Sequence, residues 1–162
     1  MKTLLILRHA KSDWNDPKLD DHDRPLNSRG ERDAPRVGEL LREHALLPDR
    51  VLCSTALRAR QTIAAVTTAS GYVGDIEYLK PLYLAEPPAY LRALGQLPDT
   101  IVRVLVVGHN PGLEDLLKLL TNRIEAMPTA SLAQIALPLN GWSELSPQVR
   151  GDLINVWRPK EL

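Results

Sequence analysis

Lys2-Thr3-Leu4-Leu5-Ile6-Leu7-Arg8-His9-Ala10 is an apolar run that stops at a cation and an imidazole. Its four consecutive aliphatics lack the polar alternation of a half-exposed strand. They predict a strand buried on both faces, as in a parallel sheet with helices on each side. Such sheets bind ligands beyond the carboxyl ends of their strands, where Arg8 and His9 stand. Taken alone, the pair also fits two solvated loop residues, because strands commonly end in polar groups. A second run changes that: Ile101-Val102-Arg103-Val104-Leu105-Val106-Val107-Gly108-His109 is another aliphatic strand ending in histidine, followed by Asn110-Pro111-Gly112. If the two strands are central, parallel neighbours, His9 and His109 meet at one edge of the sheet.

Between these runs the chain alternates. Residues 10 to 27 form a long loop carrying Asp13, Asp16, Asp20, Asp21 and Asp23. These aspartates lack the spacing of a calcium-binding loop, so a solvated acidic loop is the simpler reading. Ser28-Arg29-Gly30-Glu31 has the spacing of a capping box and starts a helix with Ala34, Val37, Leu40 and Leu41 inward; Pro35 should kink it. Val51-Leu52-Cys53 reads as a short strand, and Ser54-Thr55 as the cap of a helix reaching Ser70 and stopped by Gly71. Arg58 then falls on that helix's first turn, where free N–H groups favour an anion.

Ile76-Glu77-Tyr78 reads as a minor edge strand, and residues 88 to 97 as a short helix ended by Pro98. After the second histidine, Asn110 is the expected N-cap and Pro111 the first helical residue. Leu132 to Leu137, a turn at Asn140-Gly141, and Leu153 to Trp157 form a β tail. The alternation predicts an α/β protein, a three-layer α/β/α sandwich with a central, mostly parallel sheet.

With 162 residues, the chain fits one domain spanning 1–162, with a substantial core. Twenty basic residues balance twenty acidic ones, so nothing draws the whole molecule to nucleic acid or to an anionic membrane; any anion site must be local. Cys53 is the only cysteine, which excludes an internal disulfide framework and a Cys-rich zinc site and suits a reducing compartment. The N-terminal apolar run is too short for a signal-peptide core, and no stretch approaches a membrane span. A cytoplasmic location is the expectation. His22 and His44 read as surface residues and Cys53 as core filler.

Two histidines with several arginines suit an anion held by side chains. Arginine's planar fork donates paired hydrogen bonds to phosphate and stays charged. A neutral histidine can attack phosphorus and carry the group as a phosphoramidate. His9, next to Arg8 on the stiffest element, is the better nucleophile candidate, with Arg8, Arg58 and His109 neutralising charge. A cysteine phosphatase would need Cys-x5-Arg, whereas only four residues separate Cys53 from Arg58. No hydrolase elbow or P-loop motif occurs.

These residues resemble the histidine phosphatase superfamily, also called phosphoglycerate mutase-like. Arg8-His9-Ala10 approximates its Arg-His-Gly signature, continued by Trp14-Asn15. Asp23-Arg24-Pro25-Leu26-Asn27-Ser28-Arg29-Gly30, Ser54-x-x-Leu57-Arg58-Ala59-x-Gln61-Thr62 and Gly108-His109-Asn110-Pro111-Gly112 follow in the family's order. The short chain looks most like the small bacterial phosphohistidine phosphatase branch. The resemblance implies a phosphatase in which His9 is transiently phosphorylated, Arg8 and Arg58 clamp the phosphate, and His109 stabilises the transferring charge. Arg24 matches a further phosphate-facing arginine and Asn15 a residue contacting the phosphoryl group in mutase-like members. No cofactor or metal is implied.

There are two departures. Ala10 replaces the signature glycine, and the mutase-type carboxylate acid has no clear match; Glu86, in Leu84-Ala85-Glu86-Pro87, is in roughly the right region. Alkoxide leaving groups benefit from protonation by an acid, whereas a phosphoramidate nitrogen can arrive already protonated. The expected substrate is therefore phosphohistidine, on a partner protein such as a signalling protein. Small phosphomonoesters are the alternative substrates, and a phosphate-binding module without turnover is the non-enzymatic alternative. A phosphomutase fits less well, since so short a chain has little loop to keep water from an intermediate.

Overall fold

Strand burial follows from a two-sided sheet. The computed structural model describes residues 1–162, and its six strands run in the order β3-β2-β4-β1-β5-β6. β1 (Lys2–Arg8) lies between β4 (Arg103–Gly108) and β5 (Leu132–Leu137), parallel to the first and antiparallel to the second. β2 (Arg50–Ser54) pairs in parallel with β4 and with the edge strand β3 (Ile76–Leu79), while β6 (Asp152–Trp157) closes the other edge antiparallel to β5. The parallel part is the centre, and the β tail supplies both antiparallel pairings.

The aliphatic run of β1 divides between two cores. Leu4 and Ile6 pack with Val104 and Val106 under α3 (Pro87–Gly95) and α4 (Gly112–Thr121). Leu5 and Leu7 pack with Leu105, Val107 and Cys53 under α1 (Ser28–Glu43) and α2 (Leu57–Ser70). All four β1 aliphatics are fully buried, which is why the run shows no alternation. The result is the expected three-layer α/β/α arrangement.

Three local expectations, all helix caps, shift. The cap of α1 is Asn27, one residue before the expected box: its side chain accepts the Gly30 N–H at 2.9 Å. Pro35 leaves α1 unbroken. The carbonyl that loses its partner belongs to Glu31, an exposed residue, so solvent can take that bond. Ser54 and Thr55 do not cap α2, whose N-cap is Ala56 without a side-chain bond; their hydroxyls meet histidines instead. Asn110 does not cap α4 either. A cis peptide joins it to Pro111, and its amide donates to Glu114 Oε2 at 2.6 Å and to the Met127 carbonyl at 2.9 Å, a charge-assisted alternative to capping.

Two glycines are fixed by close approach. A Cβ on Gly30 would meet the Lys11 carbonyl oxygen at 2.2 Å, and one on Gly112 the Ala85 carbonyl oxygen at 1.8 Å. The first lets α1 start against the segment that follows His9, and the second seats α4 beneath the loop before α3. No helix is long and apolar enough to cross a membrane.

Candidate active site

Register places the histidines. Arg8 pairs with Gly108, and the His9 N–H donates to the Gly108 carbonyl at 3.1 Å, so His9 and His109 leave adjacent parallel strands at the same level. Their ring centroids are 5.1 Å apart. Both are buried, at 6% and 1% exposure, at the floor of a cavity of about 250 Å³ that Arg8, Arg58, Asp21, Asn110, Ser12 and Thr129 help to line. The sheet edge and the first turn of α2 therefore bring four of the expected residues, His9, Arg8, Arg58 and His109, into one cavity.

The hydrogen bonds settle what sequence left open, the tautomer of each ring. His9 Nδ1 lies 2.7 Å from the Ala10 carbonyl, which can only accept, so Nδ1 carries the proton and Nε2 keeps a free lone pair. Burial pushes the His9 pKa down to about 4, with the Arg58 and Arg8 charges adding to it against the Ala10 bond. For His109, burial and then the neighbouring His9 and Arg58 push it down to about 3. Arg58 Nη2 is a donor 3.5 Å from His109 Nδ1, so His109 carries its proton on Nε2 and donates to Ser54 Oγ at 2.7 Å. Two neutral imidazoles thus face the cavity at neutral pH.

Arg58, 4% exposed, is held as a fork: Nη1 donates to the Asp21 carbonyl at 2.7 Å and Nη2 to Asp21 Oδ2 at 2.9 Å. Tyr83 donates its hydroxyl to the same Oδ2. Burial alone would raise the Asp21 pKa, but the Tyr83 and Arg58 bonds outweigh it and keep the carboxylate ionised. Arg8 Nη1 donates to the Met127 carbonyl at 3.2 Å, and its Nε has no partner. Burial and the Arg58 charge lower the Arg8 pKa while Glu114 raises it.

The other expected residues sit elsewhere. Arg24 is buried under the 10–27 loop: it donates to the Asp16 and Leu19 carbonyls at 3.0 and 3.2 Å and stacks 4.2 Å over the Trp14 ring, off the cavity wall. It braces the loop because those carbonyls offer bonds that the buried guanidinium must have. Asn15 is exposed on the same loop, where its N–H caps onto Asp13, and does not line the cavity. Glu86 is exposed at the N-cap of α3, also outside the cavity lining.

Ala10 is fully buried, its N–H donating to Thr62 Oγ1 at 2.9 Å, and its φ is not positive. Alanine therefore meets no backbone penalty where the signature has glycine. Cys53 is core, its thiol pushed up to about 12 by burial. His22 keeps 41% of its side chain exposed, as a surface residue, while it meets Thr55 Oγ1 at 2.9 Å and packs edge-on against Tyr83.

Sequence reasoning missed Asp21, Tyr83 and Ser54 as site residues. One aspartate among five in a loop carries no distinguishing period, and Tyr83 lies in no motif. Ser54 was read as a cap, the commoner use of serine before a helix.

Residues 4–82 match the family model of the histidine phosphatase superfamily, branch 1. A solved SixA protein from Nakamurella multipartitia, bearing the name phosphohistidine phosphatase, is 30% identical, with 98% of this chain and 96% of that chain covered and a TM-score of 0.86. This chain belongs to the histidine phosphatase superfamily. A second SixA, from Agrobacterium tumefaciens, is 31% identical over 98% of each chain with a TM-score of 0.83. An uncharacterised Mycobacterium tuberculosis protein is 36% identical over 152 residues, 87% of this chain and 92% of that protein. The histidine phosphatase chemistry of the family matches the cavity, where a neutral imidazole nitrogen and two guanidinium groups face the same space, and the protein is a phosphatase.

Proposed function

We propose that this phosphatase removes the phosphoryl group from phosphohistidine on a partner protein, without a metal and through a phosphorylated His9. One observation carries the reading: the His9 Nδ1–H is tied to the Ala10 carbonyl, so its unprotonated Nε2 faces the cavity that Arg8, Arg58 and His109 line. The solved SixA proteins, with their phosphohistidine phosphatase names, support the substrate class.

In the proposed reaction, the His9 Nε2 lone pair forms a bond to phosphorus as the substrate's own N–P bond breaks, and the substrate imidazole departs neutral with the proton on its other nitrogen. Arg8 and Arg58 neutralise charge on the transferring oxygens, which is where catalysis of phosphoryl transfer mostly resides. The developing dianion beside His109 favours its protonated form, giving a further donor. Water then attacks phospho-His9. The P–N bond breaks, both protons of the water leave on inorganic phosphate, and His9 returns with Nδ1 still protonated.

Neither step requires a carboxylic acid, which fits a cavity whose one carboxylate, Asp21, is held ionised. Charge neutralisation by two guanidiniums supports metal independence, and the single buried Cys53 fits the cytoplasmic location included in the proposal.

The test is to incubate the protein with a phosphohistidine protein, quench rapidly and look for an acid-labile, alkali-stable adduct. Adduct and turnover should both vanish in His9→Ala. Turnover that survives the substitution, or none on phosphohistidine in the wild type, would overturn the reading.

A further inference from the structure

Beside the active cavity lies a second, larger groove of about 310 Å³, walled by the first turns of α1 and by the C-terminal segment. Its lining contains no hydrophobic residue: Arg29, Arg32, Arg36 and Lys160 face a single carboxylate, Asp33. In a chain whose charges balance overall, this is a local concentration of positive charge. Asp33 is buried and stands 3.9 Å from Arg32 and 3.6 Å from Arg36, so it orders two guanidiniums without neutralising the group. Arg32 remains 69% exposed at its side chain, and Lys160 is exposed and has no ion-pair partner.

The groove joins the active cavity. Thr129 lines both, and Arg29 Nη2 donates to its hydroxyl at 3.4 Å. A chain whose phosphorylated side chain reaches His9 can therefore continue across Thr129 into the groove.

Resting on the function proposed above, we infer that this groove docks an acidic segment of the protein substrate, carboxylates flanking the phosphohistidine lying against Arg29, Arg32 and Lys160. A polypeptide fits better than a nucleic acid. The groove offers no aromatic platform for a base, and Asp21, on the wall of the adjoining cavity, opposes a continuous phosphate backbone running through both. Separated carboxylates meeting arginines need no such continuity, and the attraction acts mainly on encounter rate and specificity.

Two phosphohistidine peptides test this, one with Asp and Glu flanks and one with Ser and Gly flanks. The wild type should show kcat/KM about ten-fold or more higher for the acidic peptide at low salt, with the advantage shrinking at high salt. The Arg32→Glu/Lys160→Glu variant should lose that preference while turning over the neutral peptide and inorganic phosphoramidate at wild-type rates, which also reports an intact fold. Equal wild-type kcat/KM for both peptides overturns the docking inference and leaves the proposed function standing.

If neither peptide is turned over, the proposed function fails. Binding of the unphosphorylated, fluorescein-labelled acidic peptide then decides the groove separately: anisotropy that rises with wild type but not with the variant supports docking, and no rise with either overturns it. A DNA duplex that displaces the acidic peptide at lower concentration than unlabelled peptide overturns the choice of partner.

Discussion

The two imidazoles should make this protein acid-sensitive in a way that substitution removes. An unfolded histidine titrates near 6.5, whereas burial and neighbouring cations hold His9 near 4 and His109 near 3. Between these values the unfolded chain binds more protons than the folded one, so stability rises with pH through that window. The contribution is complete above about pH 6.5 and is lost as the pH falls toward the folded-state values. At pH 5 the unfolded histidine is almost fully protonated and the folded one almost fully neutral, so each ring forfeits about 2 kcal/mol relative to pH 7.

A His9→Gln/His109→Gln variant cannot titrate at either position. Urea unfolding of wild type and variant at pH 7 and pH 5 isolates the term, because Asp21 and the other carboxylates titrate in both. Wild type should lose roughly 4 kcal/mol more than the variant over that interval, or about half that if only one ring stays neutral. Equal losses would mean that the rings titrate in the fold as they do in the unfolded chain, which would refute the claim that burial and the neighbouring guanidiniums hold them neutral below pH 6.

Other outcomes follow from individual contacts. Arg58→Ala removes the buried fork facing the transferring group and should lower kcat by about 10²–10³-fold in a phosphoramidate assay; Arg58→Lys, unable to hold both the Asp21 carbonyl and its carboxylate, should recover little of it. Sulfate binding at pH 6 should take up protons as the dianion raises the His109 pKa, seen by calorimetry as a binding enthalpy that varies with the buffer's ionisation enthalpy; buffer-independent enthalpy would leave His109 neutral beside the bound anion. Glu86→Gln should leave turnover of phosphohistidine within two-fold of wild type, given its exposed position outside the cavity, and a large loss would make it the missing acid. Gly112→Ala drives a methyl into the Ala85 carbonyl and should destabilise the fold by about 1–3 kcal/mol, read from urea unfolding.

What was legible in the sequence was whatever periodicity or strand placement encodes. The unalternating aliphatics of β1 and β4 announced strands buried on both faces, and parallel pairing then forced two strand-end histidines together. Arg58 could be placed because a helix that follows a strand begins at a predictable point. Loop contacts were not legible: whether Arg24 faces phosphate or carbonyls depends on the path of residues 10–27, which no local pattern fixes. The same holds for Asn110, where a helix cap and a bond to Glu114 are both good local solutions and tertiary placement chose the second.

Asp21 gives the cavity its electrostatic balance. A guanidinium as buried as Arg58 cannot stand without an anion or several carbonyls, because its desolvation would cost several kcal/mol. Asp21 supplies one of each from a loop, and Tyr83 steadies its carboxylate. An arriving phosphoryl group thus finds Arg58 already oriented and exchanges one anionic partner for another, so its net gain is smaller than at a bare cation. A site built this way gives up affinity for free phosphate and has the fork aligned before the phosphoryl group arrives, which suits an enzyme whose product is the same anion that its cavity was shaped to hold.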